Sequence, residues 1–437
     1  MSSTLLLTMG LMALVGLLLT GVPIYLGFLL LNGAGIWYFF GGAGEGLFVN
    51  SVVDSLTSLN MTTIPLFVLM GEILFRSGAV EVVFDSVDRM IGRMRGRLYM
   101  FTIALSTVFG ALCGSAVAVV AMLGRTVLPV MHKRGYDIQL SAAVIQGGAS
   151  LAPIIPPSLM AVIIGSMANV SISGLLVAGI LPGLLLAGLS IVYVYWMLWR
   201  DPSLAPREDA SSAGSPRTGR LRALANLLPF LFIIFSVMGL MLLGVATPSE
   251  SAATGVLGSL VTAAYYRKLN LRMLREAIGS ALRISTMILI IVAASILFGQ
   301  LLAFTGATTD LVNWVTHLDV HPQIMFWLLM IVPFIICMFI DQLAFMLVAI
   351  PLYAPVVTTM GYDPIWFWTQ FSINMTLASL TPPFGYTMYA LRAAAPDLIT
   401  LKQVFDASWP ITWVFVIGMA LMTVVPGIIT IVPQLLK

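Results

Sequence analysis

Apolar residues run through the chain in long blocks, separated by short polar punctuation and, twice, interrupted by prolines where a continuous membrane helix would be expected. The blocks at 4–19, 23–40 and 63–75 predict three spans, the first belonging to an opening helix over 1–22. A longer block, 98–131, has room for two half-crossings, with "GALCGS" at its middle. The block 139–167 carries "LAPIIPPS" at its centre, and 172–199 predicts a return span. Beyond a polar stretch at 200–222, the plan resumes with a connecting span at 223–244. A second two-armed block follows at 321–357, then a second proline-broken block at 364–395.

Composition fixes the solvent. Of 437 residues, 59% are hydrophobic and only 9% charged, with a mean hydropathy of +1.03. Soluble domains carry roughly a quarter charged residues. The solvent is therefore lipid, and the expected fold is an all-α polytopic membrane protein. The N-terminus lacks the basic flank and small-residue cleavage site of a signal peptide, so the first helix is read as retained. Cys113 and Cys337 both lie in apolar runs, which implies no disulfide framework.

Charge gives the sidedness. Basic residues gather at Arg89, Arg93, Arg95 and Arg97, at Lys133 and Arg134, at Arg200 to Arg222, and from Arg267 to Arg283. The positive-inside rule puts these clusters in the cytoplasm. Arg97 and Lys133 then share a side, so 98–131 must enter and leave from the cytoplasm as a re-entrant hairpin. The basic, amphipathic stretch 78–97 is expected along the cytoplasmic face. Residues 200–222 read as a cytoplasmic linker rather than a domain.

The halves repeat. At an offset of 226, Pro129, Val130, Gly135, Tyr136, Asp137, Leu151, Ala152, Pro156 and Pro157 match Pro355, Val356, Gly361, Tyr362, Asp363, Leu377, Ala378, Pro382 and Pro383. "LPVMHKRGYD" keeps two basic residues, whereas "APVVTTMGYD" has none. Opposite charge bias means opposite orientation. Residues 23–199 and 245–437 are therefore expected to be inverted-topology repeats, a signature of secondary transporters.

Broken spans have a chemical consequence. Pro153, Pro156 and Pro157 bring no backbone N–H, so the carbonyls of Ala149, Ala152 and Pro153 lose helical partners. Pro382 and Pro383 do the same to Ala378 and Ser379, beside the hydroxyls of Thr376, Ser379 and Thr381. A freed carbonyl at membrane depth needs a partner, and a desolvated sodium ion accepts oxygen ligands. The half-helix after Pro157 also aims its N-terminal dipole inward, which suits an anionic group. A plain kink is the competing reading for a single proline. A proline pair repeated in both halves favours a functional break.

Asp341, in an apolar run, is a candidate for ion or substrate binding, with a structural cap as the alternative. Arg392 reads either as a bidentate carboxylate ligand or as an interfacial side chain. Ser158 and Asn374 flank the breaks and are candidate substrate contacts. Glu72 and Glu250 are read as pairing between helices, with no transport role. The three histidines fall in predicted loops and form no metal cluster. No phosphate loop supports ATP use, and no nucleic-acid partner or cofactor is expected. An intramembrane enzyme would need a nucleophile with a partnered base, and none is visible. A stand-alone anion symporter or exchanger of the same architecture is the open alternative.

The motifs "FGALCGSAVA", "LPVMHKRGYD", "LAPIIPPS", "DQLA" and "LASLTPPFG", in that order, resemble the large membrane subunit of tripartite ATP-independent periplasmic (TRAP) transporters along essentially the whole chain. The resemblance implies a scaffold plus an elevator-type transport domain in the bacterial inner membrane. It also implies sodium-coupled uptake of organic anions, usually carboxylates. Two partners would be expected, a small membrane subunit and a periplasmic substrate-binding protein, and neither is recognisable within this chain. Carried over by motif, Cys113, Gly114, Ser115 and Ala116 would meet Ala152, Ile155 and Pro157 at one sodium site. Asp341 and Gln342 would meet Ala378, Ser379 and Thr381 at another, with Ser115 and Asp341 also facing substrate. Cys113 and Ala116 stand where the family usually has serines, and Ala152 where it has glycine.

Overall fold

The computed structural model describes residues 8–10, 12–14, 16–17, 20–77, 95–206, 217–318 and 320–435. Among these there is no strand. The helices, in chain order, begin with α1 (Ile24–Phe40), α2 (Glu45–Thr57) and α3 (Thr63–Arg76). The first repeat continues with α4 (Arg97–Cys113), α5 (Ala116–Thr126), α6 (Leu128–Lys133), α7 (Ile138–Ala149), α8 (Leu159–Met167), α9 (Ile172–Ala178) and α10 (Ile180–Arg200). Between the repeats lies α11 (Arg217–Leu242), followed by α12 (Pro248–Tyr265), α13 (Leu271–Phe304) and α14 (Ala307–His317). The chain ends with α15 (Pro322–Cys337), α16 (Gln342–Thr359), α17 (Pro364–Leu380), α18 (Tyr386–Ala394), α19 (Leu401–Val424) and α20 (Gly427–Gln434). Six described helical stretches are long and apolar enough to cross a membrane.

Two layers emerge from the packing. Helices α1, α2, α3, α11 and α12 gather around one another and the long α13. Asn32 Nδ2 donates to the Ala294 carbonyl at 2.6 Å, and Thr63 and Ser249 share a hydroxyl bond of 2.8 Å. Helix α12 approaches very closely here, since a Cβ on Gly255 would sit 2.5 Å from Met70 Sδ. The second layer holds both hairpins, α4–α5 and α15–α16, and both interrupted helices, α7–α8 and α17–α18.

The repeat shows in how the halves interlock. First arms pack on the interrupted helix of their own half, α4 on α7 and α15 on α17. Second arms also cross to the other half, α5 onto α18 and α16 onto α8. The offset of 226 is kept in fine detail. Gly135 (φ 78°) and Gly361 (φ 70°) both turn through the left-handed region, where only glycine sits without strain. Asp137 then caps α7 through Leu140 N (2.7 Å), as Asp363 caps α17 through Trp366 N (2.8 Å). Tyr136 and Tyr362 each bond back to the start of their own hairpin, at Leu98 N and Pro322 O.

Helix lengths confirm the breaks. Helices α8 and α18 have nine residues each, which reach about 14 Å at the usual rise. That is half of a hydrocarbon core of roughly 30 Å. Each crossing therefore takes two pieces.

Three places add to or differ from expectation. The return span 172–199 is present as a candidate crossing, Ile172–Arg200, with one turn residue at Gly179, where the Ile154 carbonyl from the first break lies 2.1 Å from where a Cβ would be. His132 and His317 lie in α6 and α14 rather than in loops. The linker begins anchored, since the Leu204 carbonyl accepts from Tyr99 Oη (2.7 Å) and Asp137 N (3.0 Å). Residues 78–94 of the expected amphipathic stretch 78–97, part of the linker (207–216) and parts of the first helix lie outside the described residues.

Gly148 marks the tightest α4–α7 crossing, where a Cβ would meet Ser106 Oγ at 2.5 Å. Gly148→Val should destabilise the fold by about 1–3 kcal/mol and lower the thermal unfolding midpoint in detergent. Gly188→Val, with open space around it, should leave that midpoint nearly unchanged.

Candidate functional site

The first break begins where α7 runs out at Ala149, whose carbonyl accepts from Ala152 N at 3.0 Å. Pro156–Pro157 is a cis peptide bond. Ser158 restarts the helix. Its Oγ accepts from Ala161 N at 3.3 Å and donates to the Pro153 carbonyl, so two of the three predicted orphans, Ala149 and Pro153, are internally satisfied and that expectation is corrected for them. No described donor reaches the carbonyls of Ala152 or Pro157.

The first hairpin tip comes to that break. Gly114 turns the chain at φ 61°, and Ser115 caps α5 through Ala118 N at 3.4 Å. A Cβ on Gly110 would fall 2.8 Å from Ala152 Cα, and one on Gly114 would fall 3.6 Å from the Pro157 carbonyl oxygen. Small residues are needed for this approach. The side chain of Ile155 turns elsewhere, against Gly183 of α10. Cys113 closes α4 and contributes backbone at the tip; Ala116 begins α5 and is buried.

The second break is furnished differently. Pro382–Pro383 is again cis. The expectation that Ala378 and Ser379 would present bare carbonyls is corrected here. The first accepts from Thr381 N (3.2 Å) and the second from Thr387 Oγ1 (3.0 Å). A carbonyl oxygen has two lone pairs, so each keeps one acceptor position. Ser379 Oγ and Thr381 Oγ1 bond back to Thr376 and Leu377 at 2.7 Å each. Gly385 lets the chain fold back onto the break, since a Cβ there would meet Ser379 O at 2.5 Å.

Asp341 is the N-cap of α16. Its Oδ2 accepts from Leu343 N (3.0 Å) and Ala344 N (3.1 Å). Its other oxygen accepts no hydrogen bond from the described residues, so the cap uses only half of the carboxylate. Next to it Gln342 is 6% exposed, and its Oε1 is buried without a partner. Beside this tip, Phe339 packs on Phe384 of the second break, with ring centroids 6.2 Å apart.

Both tips wall a single cavity of about 350 Å³ between the two layers. Gly114 to Ala118 form one edge and Asp341 to Leu343 another. Leu159, Met160 and Tyr386 come from the restarted half-helices. The opposite wall is α3 and α13, including Glu72 and Met287. Of the candidate substrate residues, Ser115 and Asp341 line this cavity. Ser158 lies behind it as a buried cap. Asn374 donates to the Met330 carbonyl at 2.8 Å, tying α17 to α15. Arg392 Nη1 donates to the Pro396 carbonyl at 2.5 Å at the far end of α18. The structure does not bring those three to the cavity. Glu72 and Tyr386 are wall residues that the sequence reading did not select. A carboxylate inside the apolar span 63–75 was the available signal for Glu72.

Inverted halves that each set a hairpin tip on an interrupted helix, around one cavity, define the class: a secondary transporter of the membrane. Comparison with known proteins agrees. The family described as "Tripartite ATP-independent periplasmic transporter, DctM component" matches residues 11–428. The ectoine/5-hydroxyectoine TRAP transporter large permease protein of Ruegeria pomeroyi is 30% identical over 392 residues, 89% of each chain. The C4-dicarboxylate TRAP transporter large permease protein of Pseudomonas aeruginosa is 26% identical over 380 residues, 86% of each. Among solved structures, the YdaH transporter of Alcanivorax borkumensis matches with a TM-score of 0.67. That match covers 88% of this chain and 89% of that one at 14% identity, a likeness of fold alone. The chain belongs to the DctM family, the large membrane component of TRAP transporters. Such components are multi-pass inner-membrane proteins that work with a small membrane subunit and a periplasmic binding protein.

Tip and break should respond to substitution differently. Gly385→Ala forces a methyl group into the Ser379 backbone and should destabilise by about 1–3 kcal/mol. Gly114→Ala meets no clash and carries only the left-handed penalty of about 1–2 kcal/mol. Thermal unfolding of the two purified variants checks the order.

Proposed function

We propose that this chain carries out sodium-coupled uptake of an organic acid handed over by its periplasmic partner. The layer holding both hairpins and both breaks moves against the layer around α13 in an elevator cycle. The observation that carries the reading is the convergence of two hairpin tips on one cavity, each beside an interrupted helix with oxygens to spare. The unpartnered carbonyls of Ala152 and Pro157, with the Gly114–Ala116 tip and Cys113 behind it, support a first sodium site. Ile155 would contribute there through its backbone only. Asp341, the buried Gln342 Oε1 and the remaining lone pairs around Ala378, Ser379 and Thr381 support a second. Sodium prefers such hard oxygen donors, much as other hard cations do.

Relatives support the cargo class. They are named for ectoine, for 2,3-diketo-L-gulonate and for C4-dicarboxylates, and all of these carry a carboxylate. Sodium near the breaks would offset that negative charge, so ion and solute would bind together.

In proteoliposomes holding the chain and both partners, uptake should require an inward sodium gradient. A charge-assisted contact contributes about 1.5–3 kcal/mol. Asp341→Ala should therefore raise the half-saturating sodium concentration by roughly ten- to a hundredfold. Full uptake in sodium-free buffer under an imposed proton gradient would sink the coupling.

A further inference from the structure

The charges on the cavity wall are one-sided. Among the described residues that line it, the ionisable acids are Glu72 and Asp341, and there is no lysine, arginine or histidine. Asp341 belongs to the tip, where its carboxylate already caps α16. Glu72 stands apart on α3, in the opposite layer, and its side chain is 20% exposed.

Glu72 shares its one ion-pair partner with a second carboxylate. Arg76 Nε reaches Glu72 Oε2 at 3.1 Å, one helical turn on. That same guanidinium gives Nη1 to Glu276 Oε2 at 2.9 Å, so one cation is divided between two carboxylates. Arg272 also pairs with Glu276, but its side chain is 91% exposed and is therefore strongly screened by water. Neither arginine lines the cavity. Glu72 Oε1 takes no bond among the described residues. A carboxylate thus faces the cavity with one oxygen and part of its charge uncommitted.

We infer that the transported acid also carries a positive charge, and that Glu72 receives this cationic end while the tips receive the carboxylate. This rests on the uptake reading above. A dianion would place its second carboxylate against Glu72, with no basic side chain to answer it. A zwitterion has the matching polarity. With sodium at the breaks its negative end is offset there, and its N–H donors meet acceptors on the α3 wall. Removing Glu72 should therefore reduce discrimination as well as affinity. The cavity volume, about 350 Å³, lies at the small end of ligand pockets, which span about 300–1,000 Å³.

The test uses the chain purified with its small membrane subunit, without the binding protein, so that the soluble partner does no choosing. Ectoine (a zwitterion) and succinate (a dianion) are the probes, each titrated by thermal shift with and without sodium. Ectoine should bind at least tenfold tighter than succinate. Glu72→Gln should weaken ectoine about tenfold, narrow the gap to succinate and leave the shift induced by sodium alone, without solute, unchanged. Arg76→Gln breaks the same ion pair but keeps the carboxylate, so it should hold or improve ectoine binding. Equal binding of the two probes, or unaltered ectoine affinity in Glu72→Gln, would overturn the inference. So would a raised sodium requirement in that variant measured without solute, which would make Glu72 an ion ligand instead. If ectoine binds through Glu72 while sodium has no effect, the coupling fails and the inference about charge stands.

Discussion

A peptide carbonyl at mid-membrane has no water to turn to, and this protein is organised around how a few such carbonyls are answered. Each leftover acceptor in hydrocarbon costs several kcal/mol unless something satisfies it. The two halves use different means. At the second break, Thr381 and Thr387 supply an N–H and a hydroxyl to Ala378 and Ser379. At the first, Ser158 serves Pro153, while Ala152 and Pro157 are left for the neighbouring hairpin tip or an ion. The pseudo-symmetric breaks are thus chemically unequal. The first offers the barer oxygens, and the second offers a carboxylate and an amide.

Close approach is the condition for any of this to work. Gly110, Gly179 and Gly385 stand where a methyl group would press on the backbone of a break, and Gly114 turns the first tip through the left-handed region beside one. Their smallness lets a tip or a following helix lie against an irregular strip of chain and shield it from lipid. The breaks are tolerated because they are enclosed by protein. Irregular backbone survives at membrane depth only when it is buried in protein or lines a cavity. The cavity itself falls between the packed layers, one carrying both tips and the other built on α3 and α13. Relative motion of those layers would change what the tips face while leaving each break intact.

Much of this was legible beforehand because the signals are local. An offset of 226 between matched residues identified the repeat, and the same pairs reappear as left-handed glycines, capping aspartates and anchoring tyrosines. Prolines state where a helix must stop, since a missing N–H and a fixed φ act through the chain's own backbone. Charge bias supplied the expected sidedness in an equally local way. The positive-inside rule depends on counts beside each span, without reference to packing.

Tertiary structure decided what depends on distance through space. Asn374 and Arg392 flank the second break in sequence, yet they point to Met330 and Pro396. Glu72, which sequence placed only as a helix-pairing acid, lies on the cavity wall opposite Asp341, 269 positions further along. Which carbonyls stay bare also depended on hydroxyls folded in from beyond the prolines. The chain alone determined a lipid-embedded, inverted pair of broken crossings. Which side chains share one cavity was settled only by how helices far apart in sequence pack, because periodicity carries no information about a neighbour reached across open space.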